Sequence, residues 1–238
     1  MLFLVREGWR DAVAVLFPVD CAGCGAPDRA LCASCCAQLR AASACTLSEQ
    51  LLPDSTRVVS AMRYETQVRS MILSLKEHGR TDVVTQLATP LRAAIEKAAD
   101  GSTSAVEVCT VPSSKRSWLR RGYRPVDRLA HAAGFRRAAV LRHAAVTQEQ
   151  KSLDRAQRGA NLKGALVAKP TVRGRRFVIV DDVVTSGATL LEAARALRAG
   201  GAEVVAAATL AYTPRHHAGG SIISAGARDI HRHDSYGG

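Results

Sequence analysis

The stretch that most limits the fold is RRFVIVDDVVTSGATLLEAARALRAGGAEVVAAATLA, residues 175–211. Residues 177–180 form a short, continuous apolar run rich in β-branched side chains, which reads as a buried strand. A tight loop containing Gly187 follows. Apolar residues then recur at helical spacing over 189–199, Gly200-Gly201 stop the helix, and 203–210 make a second apolar strand. Strand, helix, strand is a βαβ unit, and its strands are parallel because the helix carries the chain back. The expected fold class is α/β, a parallel sheet flanked by helices.

Composition bounds the rest. The chain has 238 residues, enough for one α/β domain with a small attachment or for two small domains. An apolar share of 47% excludes a disordered chain, and aromatics at 4% point to a tightly spaced aliphatic core. The formal charge of +12 suits an anionic partner, and equally an ordinary solvated surface. No apolar run approaches the roughly 18 residues of a membrane span. The first residues interleave Arg6, Glu7, Arg10 and Asp11 with their apolar patches, unlike a secretory signal, so a cytoplasmic protein is expected.

Along the chain, residues 1–20 read as a short helix ended by Pro18, and 21–45 as a cysteine region rich in turn residues. Residues 46–57 look like a linker. VVSAM, 58–62, is a strand candidate. Val68, Met71, Ile72 and Leu75 share one helical face, closed by Gly79. Val84, Leu87, Leu91, Ile95 and Ala98 share another, with Thr81 or Asp82 as cap and Pro90 as a point of kinking or splitting. VEVCTV, 106–111, is a buried-type strand, 126–136 a helix, and 138–141 a short strand. Between these lies a basic stretch, SSKRSWLRRGYR, at 113–124. Residues 143–164 show no clean apolar period and read as a lid or a disordered insert. The expected organisation is 1–50 as helix plus cysteine region, 51–211 as the α/β domain, and 212–238 as a Gly/Ser/His-rich tail.

Two groups of residues carry chemistry. Asp181 and Asp182 end an apolar strand, at the sheet edge where α/β proteins bind ligands. Bare burial of two carboxylates is costly, so they must face water, a cation or hydroxyls. Thr185, Ser186, Gly187, Ala188 and Thr189 then enter the next helix, whose first N–H groups and dipole favour an anion. The arrangement is that of a phosphate cradle beside a sugar-diol clamp. The same residues also fit a capped helix after a surface turn that happens to hold two acids. Neither GxxxxGK[ST] nor GxGxxG is present.

The second group is Cys21-x2-Cys24-x7-Cys32-x2-Cys35, with Cys36 and Cys45 close by and Cys109 in an apolar strand. Two CxxC pairs in a local cluster present four thiolates to a tetrahedral ion, for which Zn2+ is the default. Such a site is closed and structural. Free thiols, or a redox pair at Cys32 and Cys35, are the alternatives. The tail histidines His216, His217, His231 and His233 have no metal-site geometry in their spacing.

VIVDDVVTSGAT resembles the 5-phosphoribosyl-1-pyrophosphate (PRPP) signature of type I phosphoribosyltransferases. An N-terminal cysteine knuckle ahead of that signature is similar to the ComF family. Further matches are Tyr64, Lys76, Val111-Pro112, Arg121-Gly122-Tyr123, and the spaced Gln150, Leu153, Arg158 and Asn161, so the resemblance spans roughly residues 12–211. It departs where the family's RGFNQ reads Arg121-Gly122-Tyr123-Arg124-Pro125, and where Gln157 replaces an acid.

The resemblance implies that Asp181 and Asp182 hold the ribose hydroxyls and that Thr185 through Thr189 hold the 5′-phosphate. Mg2+ would accompany the pyrophosphate. The basic stretch adds Lys115 and Arg116 near the pyrophosphate and Arg121 in support, with Arg155 and Arg158 on the lid. It implies phosphoribosyl transfer from PRPP to an acceptor that the sequence leaves open. Its association with competence implies instead a module for DNA uptake that binds single strands, for which Trp118 and Tyr123 offer stacking faces.

Overall fold

The computed structural model describes residues 19–27, 29–44, 47–144 and 162–214. The expected N-terminal helix, most of the lid including Arg155 and Arg158, Cys45 and the histidines of the tail lie outside the described residues. In chain order the elements are α1 (Ala33–Ala44), β1 (Ser48–Leu51), β2 (Arg57–Arg63), α2 (Thr66–Glu77), α3 (Val84–Ala98), β3 (Glu107–Thr110) and α4 (Lys115–Arg121). There follow α5 (Pro125–Ala132), β4 (Leu141–His143), β5 (Leu166–Ala168), β6 (Arg176–Val184), α6 (Ala188–Ala199) and β7 (Glu203–Tyr212).

The main sheet has the order β1-β2-β7-β6-β3. β2, β7, β6 and β3 are parallel, and β1 adds an antiparallel edge, with Ser48 opposite Ser60 and Leu51 opposite Arg57. The parallel strands are covered on both faces, which explains their continuous rather than alternating apolar runs. Val178, Val180, Ala206 and Ala208 pack with α2, α3 and α5. Phe177, Ile179 and Ala207 pack with α6 and the β4–β5 pair. The run of alanines in β7 keeps the centre of the sheet slim, so helices approach it closely from both sides.

The expected helix face of Val68, Met71, Ile72 and Leu75 is the buried face of α2. The face of Val84, Leu87, Leu91, Ile95 and Ala98 is likewise buried in α3. Several boundaries differ from expectation. Residues 46–57 are not a linker but hold β1 and a turn, in which Asp54 accepts hydrogen bonds from the Thr56 N–H at 3.1 Å and hydroxyl at 2.8 Å. The strand SEQL lacks apolar alternation, so the pattern was silent there. α3 runs unbroken through Pro90, and Val83 occupies its N-cap without a side-chain bond. Thr81 and Asp82 form a preceding 3-10 turn instead, and Asp82 pairs with Arg80 at 2.8 Å.

The basic stretch contains α4. Ser114 caps it by accepting from the Ser117 N–H at 3.2 Å, and Gly122 ends it at φ 73°. The short strand expected at 138–141 lies at Leu141–His143. The strand expected at 177–180 continues past both acids to Val184.

The cysteine region packs on the α/β domain. Cys21, Ala22, Cys35 and Leu39 are buried in the same cluster as Val59, Met71 and Leu75. A Cβ on Gly23 would lie 2.7 Å from Cys35 Sγ and 2.9 Å from Met71 Cε, so this glycine lets the loop press onto α2. Arg80 ties the same loop down by donating to the carbonyls of Asp20 at 2.6 Å and Ala30 at 3.1 Å. Among the described residues, no helix is long and apolar enough to cross a membrane.

Candidate functional site

The acids of β6, the loop after it, the turn after β3 and the end of α2 surround a cavity of about 540 Å3. Alternation along β6 directs Asp182 towards the α2 layer, where Lys76 Nζ lies 2.7 Å from its Oδ2. Asp182 is only 7% exposed, so this partner offsets the cost of burying its charge. Asp181 also lines the cavity. Its Oδ1 accepts from the Asp182 backbone N–H at 2.8 Å. Burial, and then the neighbouring Asp182 carboxylate, push the Asp181 carboxyl up to about 7.

Thr185 and Thr189 line the same cavity. Between them Gly187 caps α6 with φ 79°, a left-handed conformation that favours glycine. A Cβ there would also lie 2.5 Å from Leu52 Cδ2, so the loop is braced from below by the β1–β2 turn. Helix geometry leaves the first N–H groups of α6 without intrahelical acceptors. One of them, on Ala188, donates to Ser186 Oγ at 3.3 Å.

Arg121 lines the cavity and donates to Glu77 Oε1 at 2.8 Å, while Arg120 donates to Glu77 Oε2 at 2.6 Å. The Arg121 hydrogen bond, helped by the charges of both arginines, holds the Glu77 carboxyl below the usual carboxylate range. Lys115 and Arg116 are exposed on α4 and do not line the cavity, whereas Ser113, Ser114 and Ser117 do. Arg158 lies outside the described residues. The structure therefore brings together Asp181, Asp182, Thr185, Thr189 and Arg121. It adds Lys76 as the partner of Asp182, together with Tyr64, Glu77 and the serines. Periodicity does not reveal the Lys76 contact, because it joins elements more than 100 residues apart. The serines had a signal, the helix cap at Ser114.

The second site is the cysteine cluster. The Sγ atoms of Cys21, Cys24, Cys32 and Cys35 all lie within 4.8 Å of one another. Four sulfurs about 2.3 Å from one zinc ion would be separated by about 3.8 Å along the edges of a tetrahedron. Cys24 Sγ and Cys32 Sγ are 3.7 Å apart, and no disulfide joins them. Backbone N–H groups of Cys32 and Cys35 donate to Cys21 Sγ at 3.3 Å and Cys32 Sγ at 3.4 Å. Donor type, number and spacing fit Zn2+, and these four residues could hold it.

The phosphoribosyl transferase domain model matches residues 119–226. The DNA utilization protein YhgH of Escherichia coli (strain K12) is 31% identical over 162 residues, covering 64% of this chain and 70% of that protein. The chain belongs to the ComF family. This ComF chain is a phosphoribosyltransferase-like protein whose N-terminal cysteine cluster fits a zinc knuckle. Over a shorter stretch of 39 residues it is 59% identical to the adenine phosphoribosyltransferase of Mycobacterium avium (strain 104), covering 16% of this chain and 22% of that one. The crystal structure of the orotate phosphoribosyltransferase from Aeropyrum pernix aligns at 18% identity and TM-score 0.35, over 74% of this chain and 80% of that one.

The structure gives physical content to this ComF chain's departure at Arg124-Pro125. Pro125 is the first residue of α5, where its missing N–H costs nothing. Pro125 and Val126 line the cavity, and the preceding Tyr123 hydroxyl donates to the Leu75 carbonyl, fixing the turn to α2 beside Lys76. Arg124 lines a different cavity, beyond α4.

Proposed function

We propose that this ComF chain binds PRPP in the β6 cavity and transfers its phosphoribosyl group to an acceptor. The observation that carries this reading is that both acids of β6 and both threonines of the following loop open onto one cavity. Thr185 through Thr189 take the 5′-phosphate, using hydroxyls and the N-terminus of α6. Asp181 and Asp182 take the ribose hydroxyls, and Arg121 lies on the pyrophosphate side. Lys76 balances Asp182, and Asp181 is held partly protonated, so little negative charge remains to repel a polyanion. As the C1–O bond to pyrophosphate loosens, the ribose gains positive charge, which the ionised fraction of Asp181 favours.

Of the cavity's acids, Glu77 is held by two arginines and Asp182 by Lys76, which leaves Asp181 and the pyrophosphate itself as oxygen donors for Mg2+. Mg2+ would neutralise the leaving pyrophosphate. Zn2+ in the cysteine cluster would be structural, with all four ligands supplied by protein. The test is isotope-detected release of pyrophosphate from PRPP across a panel of bases and amines. Turnover in the wild type and none in the Asp181→Asn/Asp182→Asn double variant is expected; equal turnover in both would remove the acids from the reaction.

A second reading is a non-catalytic module in DNA uptake. The relative named for DNA utilization and the charge of +12 favour it. Single-strand binding with steep salt dependence, retained in the same double variant while no acceptor supports turnover, is its expected signature.

A further inference from the structure

On the far side of α4 and α5 from the β6 cavity lies a second, open cavity of about 710 Å3, lined by Trp118, Arg124, Arg128 and His131, with Thr81 and Thr85 opposite. The two helices divide the cavities by face. Ser114, Ser117 and Arg121 of α4 look into the β6 cavity, whereas Trp118 looks into this one. We infer that the second cavity is a nucleotide-binding site, with the base stacked on Trp118 and the phosphate held by Arg124. This inference is independent of the ribose-phosphate reading.

Three observations carry it. First, Trp118 is 42% exposed and Leu119 beside it 63%, so an indole face is offered to solvent at the open cavity. A large flat side chain left open in this way suits another π-face. Second, the Arg124 Nε–H is buried and has no hydrogen-bond partner, and the nearest acid, Asp127, is 3.9 Å from its Nη1. The Arg124 side chain is 39% exposed where it lines the cavity, so its outer N–H groups are open to an acceptor oxygen, and phosphate presents several in the right plane.

Third, the cavity's one acid is already engaged. Asp127 accepts from the Thr110 hydroxyl at 2.5 Å and pairs with Arg137 at 3.1 Å. The remaining charge of the lining is positive, from Arg124 and from Arg128, whose guanidinium stacks 5.2 Å from the Tyr123 ring centre. A ligand with both a flat π-system and a phosphate is a nucleotide, either free or as one unit of a single strand.

The test is equilibrium dialysis of labelled dAMP and, separately, of a six-residue oligothymidylate against the full chain at fixed low salt. Trp118→Ala and Arg124→Gln are each expected to weaken binding about tenfold or more. Trp118→Phe, which keeps an aromatic plane, should recover most of the loss. The losses in Trp118→Ala and Arg124→Gln should persist when Asp181→Asn/Asp182→Asn is added to each, which separates this site from the β6 cavity. Binding of dAMP with that pattern supports a free nucleotide. Binding of the oligomer alone with the same pattern supports the same chemistry supplied by a strand. No binding of either ligand, or binding kept in Trp118→Ala and Arg124→Gln but lost in the double aspartate variant, overturns the inference.

Discussion

The cysteine knuckle and the β6 edge both gather charged or ionisable side chains, and they gather them to opposite ends. In the knuckle four sulfurs converge on one point, all within 4.8 Å of each other, and one ion can satisfy them all. At β6 the groups converge on the walls of a cavity of about 540 Å3, with Asp182 already balanced by Lys76 and Asp181 pushed up towards neutrality. The first arrangement spends its donors on holding the chain together. The second leaves donors and acceptors facing a space large enough for a ligand. The difference is the one expected between a structural site and a binding site.

If that separation is right, damage to the two sites should be separable. The largest effect is expected at the knuckle. Cys35 is 2% exposed and shares a core cluster with Met71, so Cys35→Ser removes a proposed zinc ligand and disturbs α2 together. A loss of about 3–5 kcal/mol, or roughly 6–20 °C in Tm by calorimetry, is expected, together with loss of zinc by metal analysis. A variant that keeps wild-type Tm would mean that the knuckle does not support the core.

Lys76→Met should come next. It leaves the Asp182 carboxylate buried without its cation, at a cost of about 2–3 kcal/mol after allowing for the partial exposure of the lysine. Lys76→Met/Asp182→Asn should restore much of this loss in denaturant melts, whereas purely additive losses would deny the pairing.

Gly187→Ala tests the brace under the loop. The left-handed φ costs roughly 1 kcal/mol, and the new methyl meets Leu52. Adding Leu52→Ala should relieve the overlap but not the backbone cost, so the double variant should lose less than the sum of the two singles. Strict additivity would deny the contact.

A further test is in pH dependence. Asp181 has a folded value of about 7, raised from 3.8, so the folded state binds the extra proton. Its contribution to stability is therefore fully present below about 4 and is lost as pH rises towards 7. Asp181→Asn should remove that decline, read as the difference between wild-type and variant Tm across pH 4–8. A difference that stays flat would show that Asp181 titrates normally.

Much of this was legible before the fold. The βαβ unit at 175–211 fixed the parallel core, and the spacing of Val68, Met71, Ile72 and Leu75 fixed the buried face of α2. The acids, the threonines and the four cysteines were legible because each motif is local. What escaped was either short or distant. β1 is four residues without apolar alternation, and the turn that braces Gly187 lies far from it in sequence. The Lys76–Asp182 pair joins α2 to β6. The arginines divided by α4 were indistinguishable in the sequence, because a run of basic residues does not say which side of a helix each will take. Arg121 faces the β6 cavity, Lys115 and Arg116 face neither, and Arg124 faces the second.

The most direct measurement is calorimetric titration of PRPP with Mg2+ into the zinc-loaded wild type and into Asp182→Asn, at one salt concentration. The account predicts saturable binding to the wild type and at least a hundredfold weaker binding to the variant, with zinc content and Tm near those of the wild type. Equal affinities in the two proteins, or heat from neither, would contradict the claim that the β6 edge grips a phosphorylated ribose.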